Sequence, residues 1–174
     1  TNITTSATRH GLLAYAAVRN STGGPPSIYR SFDGGLNWAS ATVLPTGIFA
    51  ALSIRTAPTS SAVLYGSGEE FPQVCIDPCN DGFTTTNSGT SWTVRPSIIF
   101  QPWISPSNAS VLLQPFLNSV SSSINSGVAF TQRLSLTDSY FFDVAGHPNY
   151  PTTPTFYASS VTRGIVKTSN DGVS

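Results

Sequence analysis

Eight carboxylates are all that the 174 residues offer for acid–base chemistry: Asp33, Glu69, Glu70, Asp77, Asp81, Asp138, Asp143 and Asp171. Glycoside hydrolysis is the reaction that two of them could run, because it needs a pair of carboxyl groups about 5–10 Å apart around one bond. Glu69, Glu70, Asp77 and Asp81 are dense enough to form such a pair if a loop over 67–82 folds back on itself. Solvated acids on a surface insertion are the simpler reading. No residue is therefore assigned a catalytic role, and these four stay as candidates. Asp77, Asn80 and Asp81 carry oxygens that would suit Ca²⁺, but their spacing is not that of a calcium-binding loop. Cys75 and Cys79, with His10 and His147 far away in sequence, make a poor zinc set. A small disulfide loop turned by Pro78 is the expectation for the two cysteines, ahead of buried free thiols. No metal and no cofactor is expected.

Asp33 invites an acid–base reading too, because it stands beside glycines in Ser31-Phe32-Asp33-Gly34-Gly35-Leu36-Asn37-Trp38. The pattern recurs as Thr85-Thr86-Asn87-Ser88-Gly89-Thr90-Ser91-Trp92 and as Thr168-Ser169-Asn170-Asp171-Gly172-Val173-Ser174, one residue short of its Trp. Asn cannot act as a general acid or base, so two copies out of three recast Asp33 as a turn-former. In that role Asp33, Asn87 and Asn170 accept bonds from N–H groups of their own turn. Gly35, Gly89 and Gly172 supply positive φ, and Ser31, Thr85 and Thr168 bond locally. Trp38 and Trp92 pack as apolar plugs whose indole N–H finds a partner.

The pattern [ST]-x-[DN]-x-G-x-[NST]-W resembles the Asp-box, the repeated hairpin of the sialidase, sortilin and xyloglucanase-like β-propeller families. The resemblance covers the three boxes and the strand before each, under half of the chain. It implies propeller blades with the boxes on the outer rim, away from a site at the axis. A sialidase activity would also call for an arginine triad, a Tyr nucleophile and an Arg-Ile-Pro signature. The nearest string, Ile54-Arg55-Thr56-Ala57-Pro58, does not match, and the arginines are scattered.

The elements that must carry these turns read as strands. Pro and Gly punctuate nearly every ten residues, and alternating, β-branched and aromatic runs fill the gaps. Residues 12–18 and 27–32 precede the first box, and Trp38 to Leu44 returns antiparallel. Ile48 to Ile54 and Ala62 to Gly66 follow, then the insertion, then Gly82 to Thr86 into the second box. Asp33 and Asn87 are 54 residues apart, one blade with an insertion; Asn87 and Asn170 are 83 apart, about two blades. A degenerate unit is thus expected near residue 130. Ser126–Arg133 would be its lead-in strand, and Asp and Gly would be lost over Leu134–Thr137. The expected fold is all-β, with four-stranded antiparallel propeller blades over about 8–46, 47–97, 98–144 and an incomplete 145–174. It could be part of a larger propeller.

Charged residues make up only 9% of the chain and balance at eight of each sign. Nothing there suits nucleic acid, and no apolar run approaches the roughly 20 residues of a membrane-spanning helix. Asn2, Asn20 and Asn108 head N-glycosylation sequons. Together with the low charge and the close cysteine pair, they point to a secreted or cell-surface glycoprotein carrying N-glycans. A repeat array with uncovered ends suits a non-catalytic structural or adhesive module that packs against copies of itself, with a glycan or another protein as further ligand. A fragment of a sialidase- or xyloglucanase-like glycoside hydrolase is the first alternative. A sortilin-like peptide-binding receptor domain is the second.

Overall fold

The computed structural model describes residues 5–18, 26–41, 44, 48–70 and 80–173. Among them the chain is all β, without a helix, and its strands form four antiparallel sheets in sequence order. The first sheet takes β1 (Thr5–His10), β2 (Leu13–Val18), β3 (Ser27–Ser31) and β4 (Ala39–Ser40). The second takes β5 (Ile48–Ala57), β6 (Ser60–Glu70), β7 (Asn80–Thr85) and β8 (Thr93–Arg95). The third takes β9 (Trp103–Ile104), β10 (Leu112–Phe116), β11 (Ser119–Ser123) and β12 (Thr131–Ser135). The fourth has three strands, β13 (Phe141–Gly146), β14 (Phe156–Ser160) and β15 (Gly164–Thr168). Every sheet is a meander whose spatial order follows its sequence order, the build of a propeller blade. The fourth sheet starts at Phe141 rather than at 145.

Two compact units divide the chain, Thr1–Gln101 with the first two sheets and Pro102–Ser174 with the last two. In the first unit, alternation along β2 sends Tyr15 and Ala17 inward, where Ile28, Leu44, Ile54, Leu64 and Phe83 join them. The Tyr15 hydroxyl donates to the Ser61 carbonyl at 3.1 Å, so its polar tip is satisfied inside the core. In the second unit Val111, Leu113 and Val120 meet Phe141, Val144, Tyr150, Phe156 and Ala158. A side chain at Gly146 would place its Cβ 2.7 Å from the Trp103 ring, so glycine is what lets β13 lie close to the third sheet. The other face of the fourth sheet is open, with Phe142 73% and Ile165 72% exposed.

Two sequence expectations change. The insertion over 67–82 is shorter than expected, because β6 runs on through Glu70 and β7 begins at Asn80. Gly68, expected in the insertion, lies in β6, while Gly66 and Gly82 lie in β6 and β7. At Gly66 and Gly82 a Cβ would sit 2.4 Å from the Phe83 ring and 2.2 Å from Ile98 Cβ, so only glycine fits there. The second change concerns the unit near residue 130. Ser126–Arg133 is not a lead-in strand, because Ser126 and Gly127 have φ of +60° and +75° and form a turn. Leu134 and Ser135 close β12 instead of standing in for a lost box. The third sheet carries an intact turn of its own, Ser123-Ile124-Asn125-Ser126-Gly127-Val128-Ala129-Phe130.

Candidate functional site

Each sheet's third strand ends in the same hydrogen-bonded clamp. In the first, Ser31 Oγ donates to Asp33 Oδ1 at 2.6 Å and accepts the Gly35 N–H at 2.8 Å, while Oδ1 also accepts the Asn37 N–H at 2.9 Å. In the second, Thr85 Oγ1 donates to Asn87 Oδ1 at 2.8 Å and accepts the Gly89 N–H at 3.1 Å, and Oδ1 accepts the Ser91 N–H at 2.9 Å. In the third, Ser123, Asn125, Gly127 and Ala129 repeat those bonds at 2.8, 3.0 and 3.1 Å. In the fourth, Thr168 Oγ1 donates to Asn170 Oδ1 and accepts the Gly172 N–H, both at 2.8 Å. The Ser31 hydroxyl first, then the Asn37 N–H, hold the Asp33 carboxyl well below the usual aspartate range. A carboxylate so occupied is a turn-former.

The fourth residue of each clamp ties it to the connection between its own sheet's first two strands or, in the second sheet, to the start of β6. The N–H groups of Gly34, Ser88, Ser126 and Asp171 donate to the carbonyls of Leu12, Ala62, Ser110 and Pro154 at 2.8–3.0 Å. All four residues have positive φ, three of them without being glycine. In the first three clamps the seventh residue gives its N–H; Asn37 Nδ2 also donates to Asp33 Oδ2 at 2.7 Å and Ser91 Oγ accepts Asn87 Nδ2 at 2.9 Å, side-chain bonds that Ala129 does without. Trp38 departs from the expected plug: it is 44% exposed, and its indole N–H donates to the Gly35 carbonyl at 2.9 Å. Trp92 does pack on the core, edge-on to Phe83 at 5.5 Å, but its buried Nε1 has no hydrogen-bond partner among the described residues.

The acids singled out in the sequence do not form a free loop. In register, Glu69 pairs with Asn80, Glu70 with Ile48, and Asp81 with Gly68, all at the end of the second sheet away from its clamp. Asp77 lies outside the described residues, as do Cys75, Cys79, Asn2 and Asn20. Asn108 is exposed on a turn, and its Oδ1 accepts the Ser110 N–H at 2.9 Å.

In the second unit two polar groupings stand out. At the clamp end, Asp171 accepts the Tyr150 hydroxyl at 2.6 Å and pairs with Arg133 at 2.9 Å, and Arg133 Nε donates to Ser122 Oγ at 2.7 Å. Burial, helped by the Asp171 carboxylate, pushes the Tyr150 phenol up to about 12. With a 1% exposed side chain it is a structural hydroxyl rather than a nucleophile. At the opposite end lies a hollow of about 450 Å³ lined by Leu117, Asn118, Thr137, Asp138, Ser139 and Tyr140. Arg163 Nη2 spans both oxygens of Asp138 at 2.8 and 2.9 Å and holds that carboxyl below its ordinary range.

The sequence reading missed this hollow because its residues come from two separate segments, 117–118 and 137–140, with no shared pattern. It missed the third clamp for another reason: Ala129 and Phe130 stand where the pattern asks for [NST] and Trp. The shorter string [ST]-x-[DN]-x-G would have found Ser123-Ile124-Asn125-Ser126-Gly127.

No protein-family profile and no curated protein matches the chain. Solved structures do. A GH74 enzyme from Niastella koreensis matches with TM-score 0.64 at 14% identity, over 89% of this chain and 25% of that one. A GH74 xyloglucanase from Xanthomonas campestris matches with TM-score 0.60 at 12% identity, over 89% of this chain and 26% of that one. YCF48 bound to a D1 peptide matches with TM-score 0.61 at 14% identity, over 95% of this chain and 50% of that one. The chain therefore spans about a quarter of the GH74 enzymes' length and half of YCF48's. At these identities the likeness shows the fold: β-propeller blades.

Proposed function

We propose that these blades belong to a carbohydrate-handling propeller of the glycoside-hydrolase type, built on Asp-box repeats, and that they engage a neutral polysaccharide at the sheet ends away from the clamps. The observation that carries this reading is the match of 89% of the chain to GH74 enzymes, one of them a xyloglucanase. The division of labour within the blades supports it. The clamp ends are occupied by structural bonds, whereas Asp81 and the 117–140 hollow lie at the other ends of their sheets. Low charge and sequons fit an extracellular setting.

The test is native affinity electrophoresis in gels containing xyloglucan or another soluble neutral β-glucan, with a parallel assay for new reducing ends. Retarded migration is the expected result. Hydrolysis, where it occurs, should be lost in Glu69→Gln or Asp81→Asn. Unchanged mobility in every polysaccharide, with no reducing ends released, would sink the proposal.

One observation favours a second reading, a structural module that packs against copies of itself. Phe142, Tyr157 and Ile165 are large apolar side chains exposed on the fourth sheet. Multi-angle light scattering separates the two: self-packing predicts a mass that grows with concentration and falls back in Ile165→Lys.

A further inference from the structure

We infer that the hollow between the turns of the second unit is a subsite for one ring of a neutral saccharide, with Tyr140 as the platform and the Asp138–Arg163 pair as the hydroxyl reader. This rests on the carbohydrate reading given above. Two segments line it, the β10–β11 turn at Leu117–Asn118 and 137–140 of the link that follows β12, and the β14–β15 turn at 161–163 joins them through the bonds of Arg163 to Asp138.

The walls are fixed before any ligand arrives. The N–H groups of Leu136 and Phe141 donate to the carbonyls of Asn118 and Leu117, both at 2.8 Å, and that of Val161 donates to the Tyr140 carbonyl at 3.0 Å. Buried Ser139 shares a hydrogen with Ser160 at 2.5 Å and accepts the Thr162 N–H at 3.2 Å. A hollow already held in shape spares a ligand the entropy of ordering it, and its volume falls within the range of small-molecule sites.

The chemistry of the walls selects the ligand. Tyr140 is 59% exposed and offers a ring face to the C–H side of a sugar. Asp138 and Arg163 use one guanidinium nitrogen between them, so carboxylate lone pairs and guanidinium N–H groups remain for hydroxyls that both donate and accept. Their charges cancel locally, so an anion gains no net attraction and a neutral ring suits the site better. Arg163 also keeps Asp138 ionised to lower pH than a lone aspartate, so the acceptor side persists in mild acid.

Isothermal titration with cellohexaose and with xyloglucan oligosaccharides, and with an oligogalacturonate as the anionic control, tests the assignment. The neutral probes should bind and the anionic one should not. Tyr140→Ala should weaken binding roughly tenfold, the size expected for one aromatic face, and Tyr140→Phe should retain it. Arg163→Ala should weaken it by a similar factor. In the unmodified chain, saturating oligosaccharide should also shield Arg163 from phenylglyoxal, read by peptide mass mapping. If the neutral probes bind while Tyr140→Ala binds equally well and Arg163 stays unshielded, this subsite is overturned and the carbohydrate reading survives. If no saccharide binds at all, both fall. Preference for the anionic probe overturns the subsite.

Discussion

At one end of the third and fourth sheets, the turns over 123–130 and 168–173 use the same side-chain positions and the same bonds. At the other end, the 117–118 turn, the 136–140 link and the 161–163 turn share no pattern. The clamp end is constrained because a tight turn leaves backbone N–H groups that only a well-placed hydroxyl and amide or carboxylate can satisfy. The opposite end has no such common demand. Its Leu117, Asp138, Tyr140 and Arg163 face solvent, where stability depends little on side-chain identity. A scaffold of this kind repeats one end and leaves the other to recognition.

That contrast can be broken most severely at Gly172. Its φ is +85°, and an added Cβ would stand 2.0 Å from the Arg133 carbonyl oxygen. Gly172→Ala should cost about 3 kcal/mol, combining left-handed strain with a forced backbone shift. Urea denaturation followed by circular dichroism measures it, and a loss below about 1 kcal/mol would contradict the close approach. Next comes Asn125→Ala, which strips the partner from the Ser123 hydroxyl and the Ala129 N–H. A loss of about 1–2 kcal/mol is expected, with Asn125→Asp close to the parent because Asp33 fills the same place in the first clamp.

The first clamp supplies a pH test. Asp33's folded pKa lies below its unfolded value, so its contribution is full above about pH 4 and fades as pH falls through the folded pKa. Asp33→Asn should leave stability at neutral pH nearly unchanged and flatten the acid limb of a Tm-against-pH curve. A large loss at pH 7 would show that the carboxylate does something the amide in the other clamps cannot. The smallest effect belongs to the hollow: Tyr140→Ala should shift stability by no more than about 0.5 kcal/mol, measured by the same denaturation.

Much of the scaffold was legible in residues 31–38, 85–92 and 168–174, because a box encodes its bonds locally, within eight positions. The 83-residue gap between Asn87 and Asn170 implied two blades, but the box inside it was hidden because Ala129 and Phe130 replace the last two positions of the pattern. The extent of the insertion was less legible: β6 runs on past Gly66 through Glu70, and Gly66 and Gly82 are points where strands meet a ring or a neighbouring side chain, a long-range fact absent from local pattern.

The sequence by itself therefore determined the all-β class, the blade period and the turn role of Asp33, since each depends on contacts within a few residues. Only the tertiary structure decided that Asp138 and Arg163 meet across 25 positions beside Tyr140, and that Tyr150 and Asp171 meet across 21. Antiparallel meanders bring distant turns to one end of a sheet, and pairing between such turns leaves no periodic trace in the chain.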